Sequence, residues 1–405
     1  MNHPFDTIIV GGGAAGIFAA INCAAKYPEQ RVAVLEKSAN LLSKVKVSGG
    51  GRCNVTHGCF DPRELVKFYP RGEKELIGPF HQFQPGDTIA WFAERDVELK
   101  VEDDGRMFPV TDNSQTIIDC FLKEIEQHGV ALHLQTKVET VTKSGEQFEV
   151  STSNGAFTCR NLVITSGGAN KAEAYAFIRN LGHTIVDPAP SLFTFNLPGN
   201  SILQLQGLVA QAEVRLNDYK LSEQGPLLIT HWGMSGPAIL KLSAWGARQL
   251  QENQYHFTFT VNWLPGETET TAFELLNGIK SAEAAKKISN ALPIDVPKKL
   301  KAFLMEKAGI DPEIKWAEVS KQHLQEFARL LTHDQFQSQG KTTFKQEFVT
   351  CGGVTLSEVN FKTMESKLVP GLFFAGEVLD IDSLTGGFNF QAAWTTAWIA
   401  SENCY

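Results

Sequence analysis

The chain contains no long apolar run. Nowhere do 18 consecutive apolar residues occur, which argues against a membrane-spanning helix. Cysteine is sparse: seven residues, at positions 23, 53, 59, 120, 159, 351 and 404. An odd number, scattered, with no Cys-x-x-Cys, argues against a disulfide framework and a structural zinc site. Positive charge is in deficit. The 37 Lys and Arg face 45 Asp and Glu, a net charge of −8, so no uniform basic coat for nucleic acid exists. Internal repeats and low-complexity segments are missing too. The first strand-like run begins near residue 6, leaving no room for a signal peptide, which predicts a cytoplasmic chain. What is present is 43% hydrophobic and 20% charged residues over 405 positions, enough for two or three globular domains.

The most informative stretch is the opening one, Asp6-Thr-Ile-Ile-Val-Gly11-Gly-Gly-Ala-Ala-Gly16. A β-branched run enters glycines, and an Ala-rich helix follows. That context gives a Gly-x-Gly-x-x-Gly pattern its physical meaning. Gly11 permits a sharp turn, Gly13 lets backbone approach a pyrophosphate, and Gly16 lets helix pack on strand. The helix N-terminus offers free N–H groups and partial positive charge to phosphates. A second strand, Arg31 to Glu36, ends in a carboxylate suited to adenosine ribose hydroxyls. The alternative use of these glycines is packing alone.

Ser48-Gly-Gly-Gly-Arg-Cys-Asn54 follows. Three glycines in a row are not an ordinary helix or strand, and such a loop is placed to run along a flat or anionic ligand. From Lys37 to Lys74, eight Lys and Arg meet three Asp and Glu. This is either a solvated face or a surface that meets phosphates. Helices with short links are expected over 62–128. A strand pair is expected over 131–142, and a three-stranded meander ends in the glycine turn Ser166-Gly-Gly168.

Past Pro188-Ala-Pro190 the texture changes. Short β-like runs dominate 191–270, and helices are expected at 271–279, 283–291, 297–308 and 323–331. Six lysines against two acids over 280–301 form a second basic cluster. Sheet character returns with a strand over 345–354 and with Leu372-Phe-Phe-Ala-Gly376-Glu377. Residues 1–190 and 346–405 thus read as two parts of one nucleotide-binding domain. Between them come a β-barrel-like subdomain (191–270), a helical subdomain (271–335) and a return strand (336–345). The fold class expected is α/β: a Rossmann-like FAD-binding domain carrying these insertions.

The late elements favour FAD over NAD. A strand ending in Gly376-Glu377, with Asp380 nearby and Gly386-Gly387 before a final helix, suits a flavin. The helix dipole would stabilise negative charge on the reduced ring. The expected cofactor contacts are Gly11, Gly13, Ala14, Ala15, Gly16, Glu36, Lys37, Gly51, Arg52, Val138, Gly168, Gly376, Glu377, Asp380, Gly387, Phe388 and Asn389. No second Gly-x-Gly-x-x-Gly is visible for a tightly held nicotinamide, so NADH or NADPH is expected as a transient visitor.

These strings, with Gly105-Arg-Met-Phe-Pro109, Thr230-His-x-Gly-x-Ser-Gly-Pro237, Cys351-Gly-Gly-Val354 and Thr363-Met-Glu-Ser-Lys367, resemble the YhiN-like flavoproteins, the BaiN/RdsA family, over essentially the whole chain. The resemblance implies FAD-dependent reduction or oxidation. Activities proposed for that family are reduction of steroid intermediates, amine oxidation, and formation of dihydrouridine in large-subunit ribosomal RNA. The chain departs from the family at His57, where Asn commonly follows Thr, and at Ser166-Gly-Gly-Ala-Asn170, which lacks a longer glycine-rich continuation.

Reducing a conjugated C=C requires a hydride and a proton. Cys53 is the candidate proton donor. Arg52 or Asn54 would bind the carbonyl that gains charge, and His231 is a second donor candidate. Each has a plainer reading: loop packing for Cys53, a barrel hydrogen bond for His231. The substrate expected is a ribosomal RNA uridine held by the two basic clusters, 37–74 and 280–301. The alternatives are a small enone or amine bound between the FAD domain and the insertion, and a flavin-containing protein that binds RNA or a partner without turnover.

Overall fold

The computed structural model describes residues 3–342 and 349–405. The end of the expected return strand and the start of the expected 345–354 strand lie outside them. The chain divides into two compact units: residues 1–191 with 344–405, and residues 192–343.

In the first unit five strands run parallel: β1 (Thr7–Val10), β2 (Val32–Leu35), β3 (Ala131–His133), β4 (Asn161–Ile164) and β5 (Leu372–Phe374). Their order across the sheet is β5-β4-β1-β2-β3. β1, β2, β4 and β5 are buried at every position, as strands covered on both faces must be. Two short antiparallel strands, Val359–Asn360 and Glu365–Ser366, extend the β5 edge. Helix α1 (Ala14–Lys26) follows β1. The last helix, α2 (Phe388–Asn403), packs extensively on α1. α2 is buried around most of its circumference, including Thr395, Thr396 and Gln391. Gln391 Oε1 accepts from the hydroxyls of Thr56 and Thr88. Those bonds satisfy an amide that would otherwise cost free energy inside the core.

The meander comprises Val138–Ser144, Gln147–Thr152 and Gly155–Cys159, one strand earlier than the sequence suggests. The third expected strand, 161–164, has left it to become β4. Val138 opens the meander, half-buried against the core.

The second unit has a seven-stranded antiparallel sheet. Its order is Asp334–Gln339, His256–Asn262, Val209–Leu216, Leu221–Ile229, Gly233–Ser235, Thr194–Asn196 and Lys341–Thr342. The two edge strands are separated in sequence by Gly340 alone. One residue spans too little distance to cross a flat sheet, so the sheet curls until its edges adjoin. The helices Glu269–Ala282, Lys298–Lys307 and Lys321–Thr332 share one hydrophobic cluster with this sheet. A helix over 283–291 does not form. The N–H groups of Ile288 and Ser289 donate to the carbonyls of Ile314 and Pro312, so a cross-segment pairing replaces the intrahelical bonds. No helix among the described residues is long and apolar enough to cross a membrane.

Candidate functional site

Parallel strands place their carboxyl ends on one edge. There the glycine turns after β1, β4 and β5 converge, on either side of the point where strand order reverses, the usual ligand position in such sheets. The turn after β1 is set by two close approaches. A methyl group on Gly16 would lie 1.8 Å from the Gly11 carbonyl oxygen, and one on Gly11 would lie 2.5 Å from that of Thr165. Gly13 differs. It has ordinary extended backbone (φ −84°), and nothing lies within 4 Å of where its Cβ would stand. No side chain caps α1 and no acid sits in its first turn. The leading N–H groups of α1 therefore have no capping side chain, with open space at the Gly13 Cβ position and the positive end of the dipole behind them. This arrangement fits a dinucleotide's pyrophosphate.

Glu36, at the end of β2, accepts from Gly12 N–H (2.7 Å) and Ser38 N–H (2.8 Å). These bonds hold its carboxylate beside the turn, where adenosine ribose hydroxyls would meet it. The neighbouring Lys37 is exposed.

Gly376 follows β5, and its N–H donates to Thr396 Oγ1 at 2.9 Å. A Cβ there would meet Ala15 Cβ at 2.8 Å, so the late strand abuts the first turn of α1. Glu377 pairs with Lys44 (2.6 Å) and accepts from Thr350 N–H (3.1 Å). A Cβ on Gly168 would lie 2.8 Å from its carboxyl group. Asp380 accepts from Gly352 N–H at 2.6 Å. The turn before α2 ends at Gly387 (φ +93°), and no side chain caps that helix either. Oriented to satisfy its neighbours, the Asn54 amide accepts from Gly387 N–H (3.0 Å) and donates to the carbonyls of Thr56 (3.0 Å) and Met107 (3.2 Å). Asn389 Oδ1 accepts from Ser383 N–H at 3.1 Å. The Phe388 ring is buried and stacks on both Phe68 (4.2 Å) and His57 (4.5 Å), so what this residue offers a ligand is its backbone.

The 48–54 loop breaks a helical turn. Ser48 is extended, and Gly49, Gly50, Gly51 and Cys53 all have positive φ. Gly50 and Gly51 face open space, a bare backbone surface suited to a flat ligand. Cys53 is the non-glycine residue in this left-handed run, at φ +62°, a conformation that costs free energy. Its side chain is wholly enclosed, and burial pushes the thiol up to about 12. Arg52 stacks on Phe108, 3.9 Å from the ring centroid, and its guanidinium pairs with Glu102 and Asp112. Its charge is thus already balanced, because two acids remote in sequence reach it. His231 belongs to the second unit, exposed at the tip of the hairpin joining Leu221–Ile229 to Gly233–Ser235.

Sequence reasoning missed Arg71, Asp382 and Ser191. Asp382 is wholly buried and takes a two-pronged bond from Arg71 Nε and Nη2, while Ser191 Oγ also donates to it. Burial pushes the Asp382 carboxyl up, opposed by the guanidinium. Nearby, Leu384 N–H donates to Phe68 O (2.9 Å) and Tyr69 Oη donates to Phe388 O (2.6 Å). Segment 68–72 therefore fastens the turn that feeds α2. Counting charge along the chain read Arg71 as part of a basic surface. In the fold, Lys44, Arg52, Lys67 and Arg71 of that cluster are paired. Lys37, Lys46, Arg63 and Lys74 are exposed with no ion pair among the described residues.

The HI0933-like protein Rossmann domain model matches residues 5–403. The chain belongs to this family. It is 29% identical over 410 residues to the Escherichia coli ribosomal RNA dihydrouridine synthase, covering 98% of each chain. It is 27% identical over 403 residues to the Clostridium scindens 3-dehydro-bile acid delta(4,6)-reductase, covering 97% of each. Among solved structures, 3-ketosteroid-delta4-(5alpha)-dehydrogenase from Rhodococcus jostii shares the fold at TM-score 0.52 and 13% identity, over 99% of this chain and 97% of that one. The chain is an FAD-dependent oxidoreductase.

Two predictions test the site. Gly13→Ala leaves the melting temperature of the apoprotein unchanged but weakens FAD binding about tenfold or more, roughly 1.4 kcal/mol. Gly16→Ala lowers the apoprotein's melting temperature, because its methyl group has no room. Flavin titration and thermal scans of both variants decide this, and equal FAD affinity in Gly13→Ala counts against the assignment. Separately, Arg71→Met strands the buried Asp382 and destabilises the protein by about 3–5 kcal/mol, whereas Arg71→Met with Asp382→Leu recovers most of that loss. Urea unfolding measures both.

Proposed function

We propose that this FAD-dependent oxidoreductase reduces a uridine of large-subunit ribosomal RNA to dihydrouridine, with NADH or NADPH as transient electron source. The observation that carries this reading is the end-to-end match to the Escherichia coli relative of that name. The Clostridium scindens relative is named for reducing double bonds of a 3-dehydro-bile acid. Both names describe adding hydrogen across a C=C conjugated with a carbonyl, which supports that reaction class and makes a small enone the second reading.

Bound FAD supplies the hydride. The chain's residues must hold the cofactor, position the substrate and deliver a proton to the neighbouring carbon. The α1 N-terminus and Glu36 serve as the diphosphate and ribose contacts. Glu377, Asp380 and the α2 N-terminus serve the flavin end, where the helix dipole favours negative charge on the reduced ring. Cys53 is the proposed proton donor. Burial keeps its thiol protonated at neutral pH, and the 48–54 loop must open to bring the enclosed side chain to a substrate. For Asn54 and Arg52, bonds already made within the fold favour positioning of the loop over direct binding of substrate. Lys37, Lys46, Arg63 and Lys74, with Lys298 and Lys299 at the start of the Lys298–Lys307 helix, are the proposed phosphate contacts.

Mass mapping of 23S ribosomal RNA from a deletion strain should show one nucleotide lacking two hydrogens relative to the parent. An unchanged pattern removes the RNA reading. NAD(P)H oxidation by purified protein that depends on an added enone then supports the second reading. Cys53→Ala should retain FAD and lose turnover by about 10²–10⁴-fold, and undiminished turnover removes Cys53 as donor.

A further inference from the structure

Two thiols that the proposed chemistry does not use meet at the far ends of the cofactor-bearing helices. Cys23 lies in the third turn of α1. Cys404 is the residue that terminates α2. They are 381 positions apart in sequence, yet their sulfurs are 3.2 Å apart, and both are buried. That separation is within about 1.2 Å of a disulfide bond length. The ends around them are fastened together. Lys26 pairs with Glu402, and Tyr27 Oη donates to the Glu402 carbonyl at 2.8 Å. Cys404 stands just past the last helical residue, and Tyr405 beside it is largely exposed. Closing the gap takes a rotation at Cys404, beyond the last helical residue of α2, while the Tyr405 carbonyl accepts from Asn161 Nδ2 at 3.3 Å.

We propose that Cys23 and Cys404 are a modification site, oxidised by hydrogen peroxide to a reversible disulfide that ties the C-terminal end of α1 to that of α2. Cys23 is the attacking sulfur. The Cys404 S–H directed at it holds the Cys23 thiol below its usual range against the opposing effect of burial, and the Cys404 thiol is pushed well up. The Cys23 thiolate attacks one peroxide oxygen. The O–O bond breaks, and the departing hydroxide takes the proton Cys23 lost, giving water and a Cys23 sulfenic acid. The Cys404 sulfur then attacks the Cys23 sulfur. The S–S bond forms, the S–O bond breaks, and hydroxide leaves with the Cys404 proton as a second water. Two thiols lose two electrons in all, and one peroxide gains them.

The bond joins the helices whose N-terminal turns carry the proposed diphosphate and flavin contacts, and it closes nearly the whole chain into one covalent loop. A loop of that length restrains the unfolded chain strongly. The expected effect is a melting temperature higher by a few degrees in the oxidised protein, about 3 °C or more.

The experiment uses FAD-loaded protein, fully reduced and then exposed to stoichiometric hydrogen peroxide. Thiols are counted after denaturation under acid quench, and peptides are mapped without reductant. The expected result is a fall from seven titratable thiols to five and a cross-linked peptide pair containing Cys23 and Cys404. Dithiothreitol should reverse both, together with the rise in melting temperature. Cys404→Ser and Cys23→Ala, each folding with bound FAD, should yield no such cross-link and no rise. Seven thiols after exposure, or oxidation recovered only at other cysteines such as the partly exposed Cys59, overturns the proposal.

Discussion

Everything at the cofactor edge depends on backbone meeting backbone. Gly16 carries α1 directly onto the turn after β1, and Gly11 brings that turn against Thr165 after β4. Gly376 brings the turn after β5 against Ala15. Three strand ends and one helix start thus share a space in which no side chain fits. The result is a rim of peptide groups in which the N–H donors of Gly12, Gly376 and Gly387 are used by the fold itself, while the first turn of α1 has no capping side chain. An anionic ligand there gains several charge-assisted bonds without displacing protein partners.

The rim is held in place from behind by buried, hydrogen-bonded polar groups. Arg71 and Ser191 satisfy Asp382, Tyr69 ties down Phe388 O, and Gln391 joins the hydroxyls of Thr56 and Thr88. Apolar packing tolerates sliding, whereas a fully satisfied polar network accepts one geometry, because any shift leaves a buried group unpaired. Such networks fix the angle at which α2 presents its N-terminus. They do so at a cost in desolvation that hydrophobic residues of the same shape would avoid.

This division explains what the sequence disclosed. The strand–glycine–helix unit, Glu36 and the late Gly376-Glu377 turn were legible because their meaning is local: spacing along the chain is spacing in the fold. The Arg71–Asp382 pair was not, since its partners are 311 positions apart and neither stands in a recognisable string. The basic count over 37–74 overstated the free charge for the same reason. Three of its eight cations, Lys44, Arg52 and Arg71, are paired with Glu377, Glu102, Asp112 and Asp382, which lie outside that window, while Lys37, Lys46, Arg63 and Lys74 stay exposed. The absent 283–291 helix failed likewise, through pairing with residues 312–314 that local propensity does not see.

Distinctive strings need not be chemical. In Thr230 to Pro237, a Cβ on Gly233 would lie 1.9 Å from the Phe195 carbonyl oxygen and one on Gly236 2.8 Å from that of Pro226. These glycines let a hairpin pass a neighbouring strand before Pro237 opens a helix. In Thr363 to Lys367, Ser366 Oγ accepts from the N–H groups of Leu368 and Val369 and bonds His183 Nε2 at 2.9 Å, while His183 Nδ1 bonds Glu358. The arrangement has the order of a hydrolytic triad. The serine oxygen, however, is buried and already accepts two backbone donors, so it has no lone pair left to attack a substrate. The Ser48–Asn54 string contrasts with both, since Gly50 and Gly51 pack against nothing. A glycine kept where space is open, in a left-handed turn, answers to backbone conformation rather than to close packing. By that physical criterion Gly50 and Gly51, with Gly13 and Gly167, stand apart from Gly11, Gly16, Gly233 and Gly236, which the fold's own packing requires.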